Sequence, residues 1–91
     1  MDGITFHDLA DYLRHGREVE FAYRRRAYSI TNHSGYWQLC DDTAHILMQK
    51  LCSVEEKEIL VSKVAAAMIG DLTIQQIFDG QFYDKERLYI L

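Results

Sequence analysis

The stretch "EVEFAYRRRAYSITN", residues 18–32, decides the fold, because apolar and polar side chains alternate on both sides of three consecutive arginines. Alternation with a period of two is typical of a strand that buries one face. If Arg24 and Arg25 form the tip of a hairpin, every large apolar residue of both strands falls on the same face, as a half-buried antiparallel sheet requires. The pairs predicted in this register are Tyr23 with Arg26, Phe21 with Tyr28, and Val19 with Ile30.

Outward from the hairpin, "NHSG" predicts a second turn, in which Gly35 adopts a positive φ. Trp37 and Leu39 then alternate with polar residues, which predicts a third strand. Strands are therefore predicted at 18–23, 26–32 and 36–40. The terminal "RLYIL" is apolar and β-prone, and we expect it to add a fourth strand or to pack on the sheet edge.

Three segments carry helix signals, each with a candidate cap at its start. In "ITFHDLADYLRHG", residues 4–16, the cap is Thr5 and Gly16 is the left-handed stop. In "SVEEKEILVSKVAAAMIG", residues 53–70, Ser53 and Glu56 form a capping box, and "AMI" is either helical or extended. In "LTIQQIFDG", residues 72–80, the box is Thr73 and Gln76, with Gly80 as the stop.

The segment 43–52, "TAHILMQKLC", fits either a short helix capped by an aspartate of "DD" (41–42) or a short strand, and both alternatives stay open. Together these signals predict an α+β fold. We expect a three- to four-stranded antiparallel meander with three to four helices packed on one face, in a single domain spanning 1–91. No apolar run reaches the roughly 20 residues of a membrane span, and no secretory signal is visible, so we expect a cytoplasmic protein without a membrane partner.

The three arginines, Arg24, Arg25 and Arg26, are read either as a basic patch or as a solvated hairpin tip. Residues 1–36 hold five acidic and five basic side chains, whereas residues 37–91 hold nine acidic and five basic ones and carry the whole net charge of −4. A nucleic-acid binder usually has an excess of basic charge. The register also assigns the neighbouring rings to the core, where they cannot stack on bases. The pattern favours the solvated tip over an anionic protein partner, and both over nucleic acid.

No catalytic, metal-binding or cofactor-binding residue is predicted. The four histidines include no H-x-x-x-H pair, and the two cysteines, Cys40 and Cys52, lie twelve positions apart without a C-x-x-C motif. No local motif marks a nucleophile, and the five glycines form no phosphate-binding loop. Asp41 and Asp42 are interpreted as a cap for the segment that follows them.

Four tyrosines, Tyr12, Tyr36, Tyr83 and Tyr89, have no place on the apolar stripes of the predicted elements. Rings left at a surface favour interfaces, since they bury a large area while the hydroxyl keeps a hydrogen bond. We therefore predict a symmetric homodimer, with the terminal "LYIL" strand as one route of pairing. The candidate partner-binding residues are Arg24, Arg25, Arg26, Tyr36, Tyr83 and Tyr89.

The segments "EVEFAY", "AYSITNHSGYWQLCDD", "LTIQQIF" and "YDKERLYIL" resemble small cytoplasmic proteins of Gram-positive bacteria that have no assigned function. The resemblance spans most of the chain and implies an α+β bacterial accessory protein, without catalytic residues to carry over. Our hypothesis is a non-enzymatic protein-interaction module with a regulatory, adaptor or immunity-type inhibitory role. The alternative is a ligand-binding or catalytic domain whose site is assembled only in space, and a weaker one is nucleic-acid binding through Arg24–Arg26.

Overall fold

A computed structural model describes residues 3–91, so Met1 and Asp2 of the predicted domain lie outside the described residues. The fold is α+β, as the sequence predicts. The α-helices are α1 (Phe6–Arg14), α2 (Lys57–Ala66) and α3 (Ile74–Asp79), and one 3₁₀ turn spans Lys85–Arg87. The strands are β1 (Val19–Tyr23), β2 (Arg26–His33), β3 (Tyr36–Asp41), β4 (Ile46–Ser53), β5 (Met68–Ile69), β6 (Leu72–Thr73) and β7 (Tyr89–Ile90).

The main sheet has five antiparallel strands in the order β4-β3-β2-β1-β7, one or two more than the sequence predicts. The predicted hairpin register is confirmed, because Tyr23 faces Arg26, Phe21 faces Tyr28, and Val19 faces Ile30. The terminal segment does add a strand, since Tyr89 and Ile90 pair with the outer edge of β1. The short strands β5 and β6 form a separate two-stranded hairpin.

The segment 43–52, which the sequence left open, contains most of a strand. Strand β4 pairs with β3 along its whole length but contains two irregularities, which skip Met48 and Leu51 in the pairing. A bulge of this kind lets two successive side chains leave the regular alternation. Leu51 and Cys52 are consequently both buried, while Ile46, Leu47 and Met48 are exposed.

Helix α2 begins at Lys57, three residues later than the Ser53–Glu56 box predicts, and it has no side-chain cap. The reason is that β4 continues through Ser53, whose backbone belongs to the sheet. The chain after α2 is extended, so "AMI" supplies β5 rather than another helical turn. The predicted caps of the two other helices, Thr5 and Thr73, are both confirmed, and each is part of a capping box.

One hydrophobic core joins the three helices to one face of the sheet. Phe78 of α3 meets Phe21 of β1 edge to face, with ring centroids 5.2 Å apart, and it stacks on Tyr83 at 4.4 Å. Leu9 of α1 and Leu60 of α2 are fully buried in the same cluster. The three α-helices of residues 3–91 therefore lie on the face to which β1, β2 and β3 send Phe21, Tyr28 and Trp37.

Candidate interaction surface

The hairpin tip is a tight turn in which Arg24 and Arg25 have φ of 51° and 66°. Positive φ at both central residues is the geometry of a type I′ turn, whose twist matches that of the flanking strands. Both side chains are exposed, as predicted for a solvated tip. Arg24 Nη2 lies 3.7 Å from Asp71 Oδ1, and its guanidinium lies over the Tyr23 ring, 5.2 Å from the centroid.

Arg26 differs from the other two arginines because its charge is used inside the molecule. Its Nε and Nη2 donate to Asp41 Oδ2 over 3.1 and 2.7 Å, and Asp41 also accepts from the backbone N–H of Ala44 over 3.0 Å. The Ala44 hydrogen bond, and after it the Arg26 guanidinium, holds the pKa of the Asp41 carboxyl below its usual value. This pair ties β2 to the end of β3, so Arg26 is a structural residue rather than a free partner-binding one.

The placement of Tyr83 at a surface is wrong. Its side chain is 4% exposed, and it packs on Phe78. Its hydroxyl accepts a hydrogen bond from the backbone N–H of Ile4 and donates to the Ile4 carbonyl at 3.0 Å. Burial raises the pKa of this hydroxyl. Tyr83 therefore anchors the segment before α1 and is not available to a partner.

Tyr36 and Tyr89, in contrast, share the face of the sheet that lies opposite the helices, and we call this surface the open face. Tyr89 is paired with Glu20, and Tyr36 is paired with His33 and Ser53, all of which alternate with core residues. The open face consists of the side chains of Glu20, Ala22, Ala27, Ser29, Thr31, His33, Tyr36, Gln38, Cys40, Leu47, Lys50, Ser53 and Tyr89.

Large side chains stand at the margins of the open face, and small ones occupy its middle. Tyr36, Leu47 and Tyr89 are 45%, 54% and 53% exposed. Tyr89 comes from the β7 edge and Leu47 from the β4 edge, with three strands between them. Those central strands contribute short side chains, among them Ala22, Ala27, Ser29, Thr31 and Cys40, together with the longer Glu20 and Gln38. Ala22 and Ser29 are themselves buried, at 2% and 5% exposure. The surface is therefore a shallow trough with raised apolar sides.

Charged groups surround this trough. The Lys50 ammonium lies over the Tyr36 ring, 4.2 Å from its centroid, on the β4 side. At the opposite end, a cavity of about 240 Å³ is lined by the charged side chains of Glu20, Asp42 and Arg87, together with Ala22, Ala27 and Tyr89. The open face thus offers both signs of charge near its margins.

Both cysteines are suited to packing rather than to nucleophilic chemistry. Cys40 lies on the open face, and burial, followed by the charge of Asp42, raises the pKa of its thiol. Burial, and then Glu56, likewise raises the pKa of the Cys52 thiol. A thiol must lose its proton to act as a nucleophile or a metal ligand. At neutral pH both groups therefore stay protonated.

The open edges of the sheet are poor routes for regular strand pairing. Strand β7, the predicted route to a dimer, has only two residues in the sheet. Strand β4 has eight, but two register shifts and Lys50 interrupt its edge. Bulges and edge lysines are devices by which proteins prevent edge-to-edge association. The open face is consequently the larger continuous surface available to a partner.

Within residues 3–91, no group of three or more histidine, cysteine, aspartate or glutamate side chains is arranged to hold a metal ion. None of the helices described is long and apolar enough to cross a membrane. Comparison of the chain with models of protein families, with curated proteins and with solved structures gives no match. The resemblance to small proteins of Gram-positive bacteria therefore stays a prediction.

Proposed function

We propose that this protein is a small, non-enzymatic interaction module of the cytoplasm that binds another protein through its open face. The observation that carries the proposal is the exposure of Tyr36, Leu47 and Tyr89 around a trough of short side chains. Aromatic residues are enriched in protein interfaces, where they fill recesses of the partner surface.

An amphipathic α-helix of the partner is the element that suits the trough. Neighbouring strands lie about 4.8 Å apart, so β4 and β7, which carry Leu47 and Tyr89, are four spacings or about 19 Å apart. An α-helix with its side chains is about 10 Å in diameter. One such helix therefore fits between Leu47 and Tyr89 and contacts one of them at a time, and the other side chain meets a second part of the partner.

The charges on the open face indicate which charged side chains should lie on each side of that helix. Lys50 on the β4 side favours acidic side chains, and Glu20 on the β1 side favours basic ones. The net charge of −4 also favours encounter with a partner that is basic overall. A regulatory, adaptor or inhibitory role follows from binding alone, since none of these roles requires chemistry at the surface.

A second copy of the chain is the alternative occupant, in line with the predicted homodimer. Face-to-face pairing of two open faces would set the polar side chains of Glu20, Thr31 and Gln38 against a copy of the same surface. An interface of the usual kind has an apolar centre and a polar rim. On the open face the apolar side chains lie at the margins instead, so two copies would bring their polar centres together. A different protein can supply a surface complementary to that centre, and we therefore favour a different protein as the partner.

Site-specific photo-crosslinking in the native cells tests the proposal. A benzophenone amino acid replaces Leu47 or Tyr89 on the open face, or Ile59 or Met68 as exposed controls elsewhere. We expect the two open-face positions to give the same defined crosslinked protein and the controls to give none. Equal crosslinking at all four positions contradicts the proposal, and a crosslink of twice the monomer mass identifies the homodimer instead.

A further inference from the structure

A second recess lies away from the open face, where the arginine hairpin tip meets the turn between β5 and β6. This recess, which we call the tip cleft, has a volume of about 390 Å³ and is lined by Tyr23, Arg24, Asp71, Leu72 and Phe82. Its volume lies at the lower end of the range of pockets that bind small molecules. Three of its side chains are apolar or aromatic, and two carry opposite charges.

The two charges form a pair that a ligand can open at low cost. Arg24 Nη2 and Asp71 Oδ1 are 3.7 Å apart, which is longer than a hydrogen bond, and the two side chains are 65% and 78% exposed. Exposed pairs of this kind attract each other only weakly, because water screens both charges. The Arg24 guanidinium and the Asp71 carboxylate therefore lie side by side, and both can form hydrogen bonds with a ligand.

The apolar wall of the tip cleft lies against a glycine. The Phe82 ring is 59% exposed, the largest exposed fraction among the large apolar side chains of residues 3–91. A Cβ at Gly80 would lie 2.2 Å from Phe82 Cε2, so the ring occupies space that only a glycine leaves free. Gly80 has φ of −81°, a conformation open to any residue, and the positive φ that the sequence predicted there occurs instead at Gln81. Glycine at position 80 therefore leaves room for the ring in this position.

From this arrangement we propose that the tip cleft binds a zwitterionic α-amino acid with an apolar side chain. The carboxylate of the ligand accepts hydrogen bonds from the Arg24 guanidinium, a planar donor that matches a carboxylate. Its ammonium group donates to Asp71. Its side chain packs against Leu72 and the exposed Phe82 ring, while the Arg24 guanidinium keeps its place over the buried Tyr23 ring. One carbon atom separates the two charged groups of such a ligand, which suits two protein charges that already lie side by side.

A set of related ligands tests each part of this assignment by chemical-shift titration of the ¹⁵N-labelled protein. The probes are L-phenylalanine, glycine without the side chain, N-acetyl-L-phenylalanine without the ammonium, and L-phenylalaninamide without the carboxylate. We expect saturable shifts around Arg24, Asp71 and Phe82 with L-phenylalanine, and binding weaker by about three- to tenfold with each of the other probes.

Matched variants separate a built site from a general attraction to the arginines. Arg24→Gln and Asp71→Asn are expected to weaken L-phenylalanine binding by about three- to tenfold, whereas Arg25→Gln, in the same turn but outside the cleft, changes it less than about twofold. Gly80→Ala is expected to weaken binding by displacing the Phe82 ring, without any change in charge. Absence of saturable shifts, or equal effects of Arg24→Gln and Arg25→Gln, overturns the proposal. Neither result bears on protein binding by the open face.

Discussion

Arg26 donates two hydrogen bonds to a single oxygen of Asp41, and the shorter of the two is 2.7 Å. The two residues lie on neighbouring strands, fifteen positions apart in the chain. This contact holds Arg26, the third of the three consecutive arginines, against β3. Arg24 and Arg25 face solvent.

The lowered pKa of Asp41 makes this contact sensitive to acid. Because the folded state holds this carboxyl below its usual pKa of about 3.9, the carboxylate stabilises the fold above that pH, and the contribution is lost as the pH falls through the folded value. We expect Asp41→Asn to lower the free energy of unfolding at pH 7 and to flatten its decline below about pH 5. Urea melts from pH 7 to 2 measure both effects. Glu55→Gln, an exposed control, is expected to keep the steeper decline, and an equally flat profile in both variants would contradict the account.

Two buried tyrosines differ in whether the hydroxyl has a partner. The hydroxyl of Tyr83 is hydrogen-bonded to Ile4, whereas that of Tyr23 is buried without a partner. We expect Tyr83→Phe to lower the free energy of unfolding by about 1–2 kcal/mol, because it leaves the backbone N–H of Ile4 without its acceptor, while the Ile4 carbonyl keeps its hydrogen bond from Gln81. Tyr23→Phe removes a buried hydroxyl that has no hydrogen-bond partner. The free energy of unfolding should therefore stay the same or rise by up to about 1 kcal/mol. Chemical denaturation of the two variants decides the point, and a larger loss for Tyr23→Phe would refute it.

The turn at the hairpin tip is strained, since Arg25 has φ of 66°. In this left-handed region of positive φ, a residue with a Cβ is destabilised by about 1–2 kcal/mol, and glycine is not. Arg25→Gly is therefore expected to raise the free energy of unfolding by about 1 kcal/mol relative to Arg25→Ala, which removes the same charge but keeps the strain. Thermal and urea melts of the pair provide the measurement. Equal stability of the two variants would show that the turn adopts another geometry.

The hairpin could be predicted from sequence because its information is local and periodic. Alternation of Val19, Phe21 and Tyr23 with polar residues fixes both the face and the pairing. Strand β4 could not be assigned in the same way, since its bulges break the alternation and leave Leu51 and Cys52 buried in succession. The start of α2 was misplaced for a related reason, because the Ser53–Glu56 pattern lies at the end of a strand.

The candidate site was predictable only in part. Tyr36 and Tyr89 were singled out as rings without a place in the core, and both do lie on the open face. The same reasoning wrongly predicts an exposed side chain for Tyr83, because the groups that bury it include Ile4, at the far end of the chain. Leu47 was missed because its side chain could be placed only once β4 was known to be a strand. An exposed tyrosine and a tyrosine buried by a distant segment look alike in the sequence, because both fall outside the apolar pattern of their own element.

The central claim, protein binding by the open face, is tested most directly by quantitative co-purification from the native cells. The open-face variant combines Tyr36→Ser, Leu47→Ser and Tyr89→Ser. A control variant combines Val54→Ser, Ile59→Ser and Met68→Ser, three exposed apolar side chains that are not on the open face. Circular dichroism first establishes that both variants keep the fold of the wild type. The account predicts that a defined partner is retained by the wild type and the control and lost from the open-face variant, and retention of that partner by the open-face variant would contradict it.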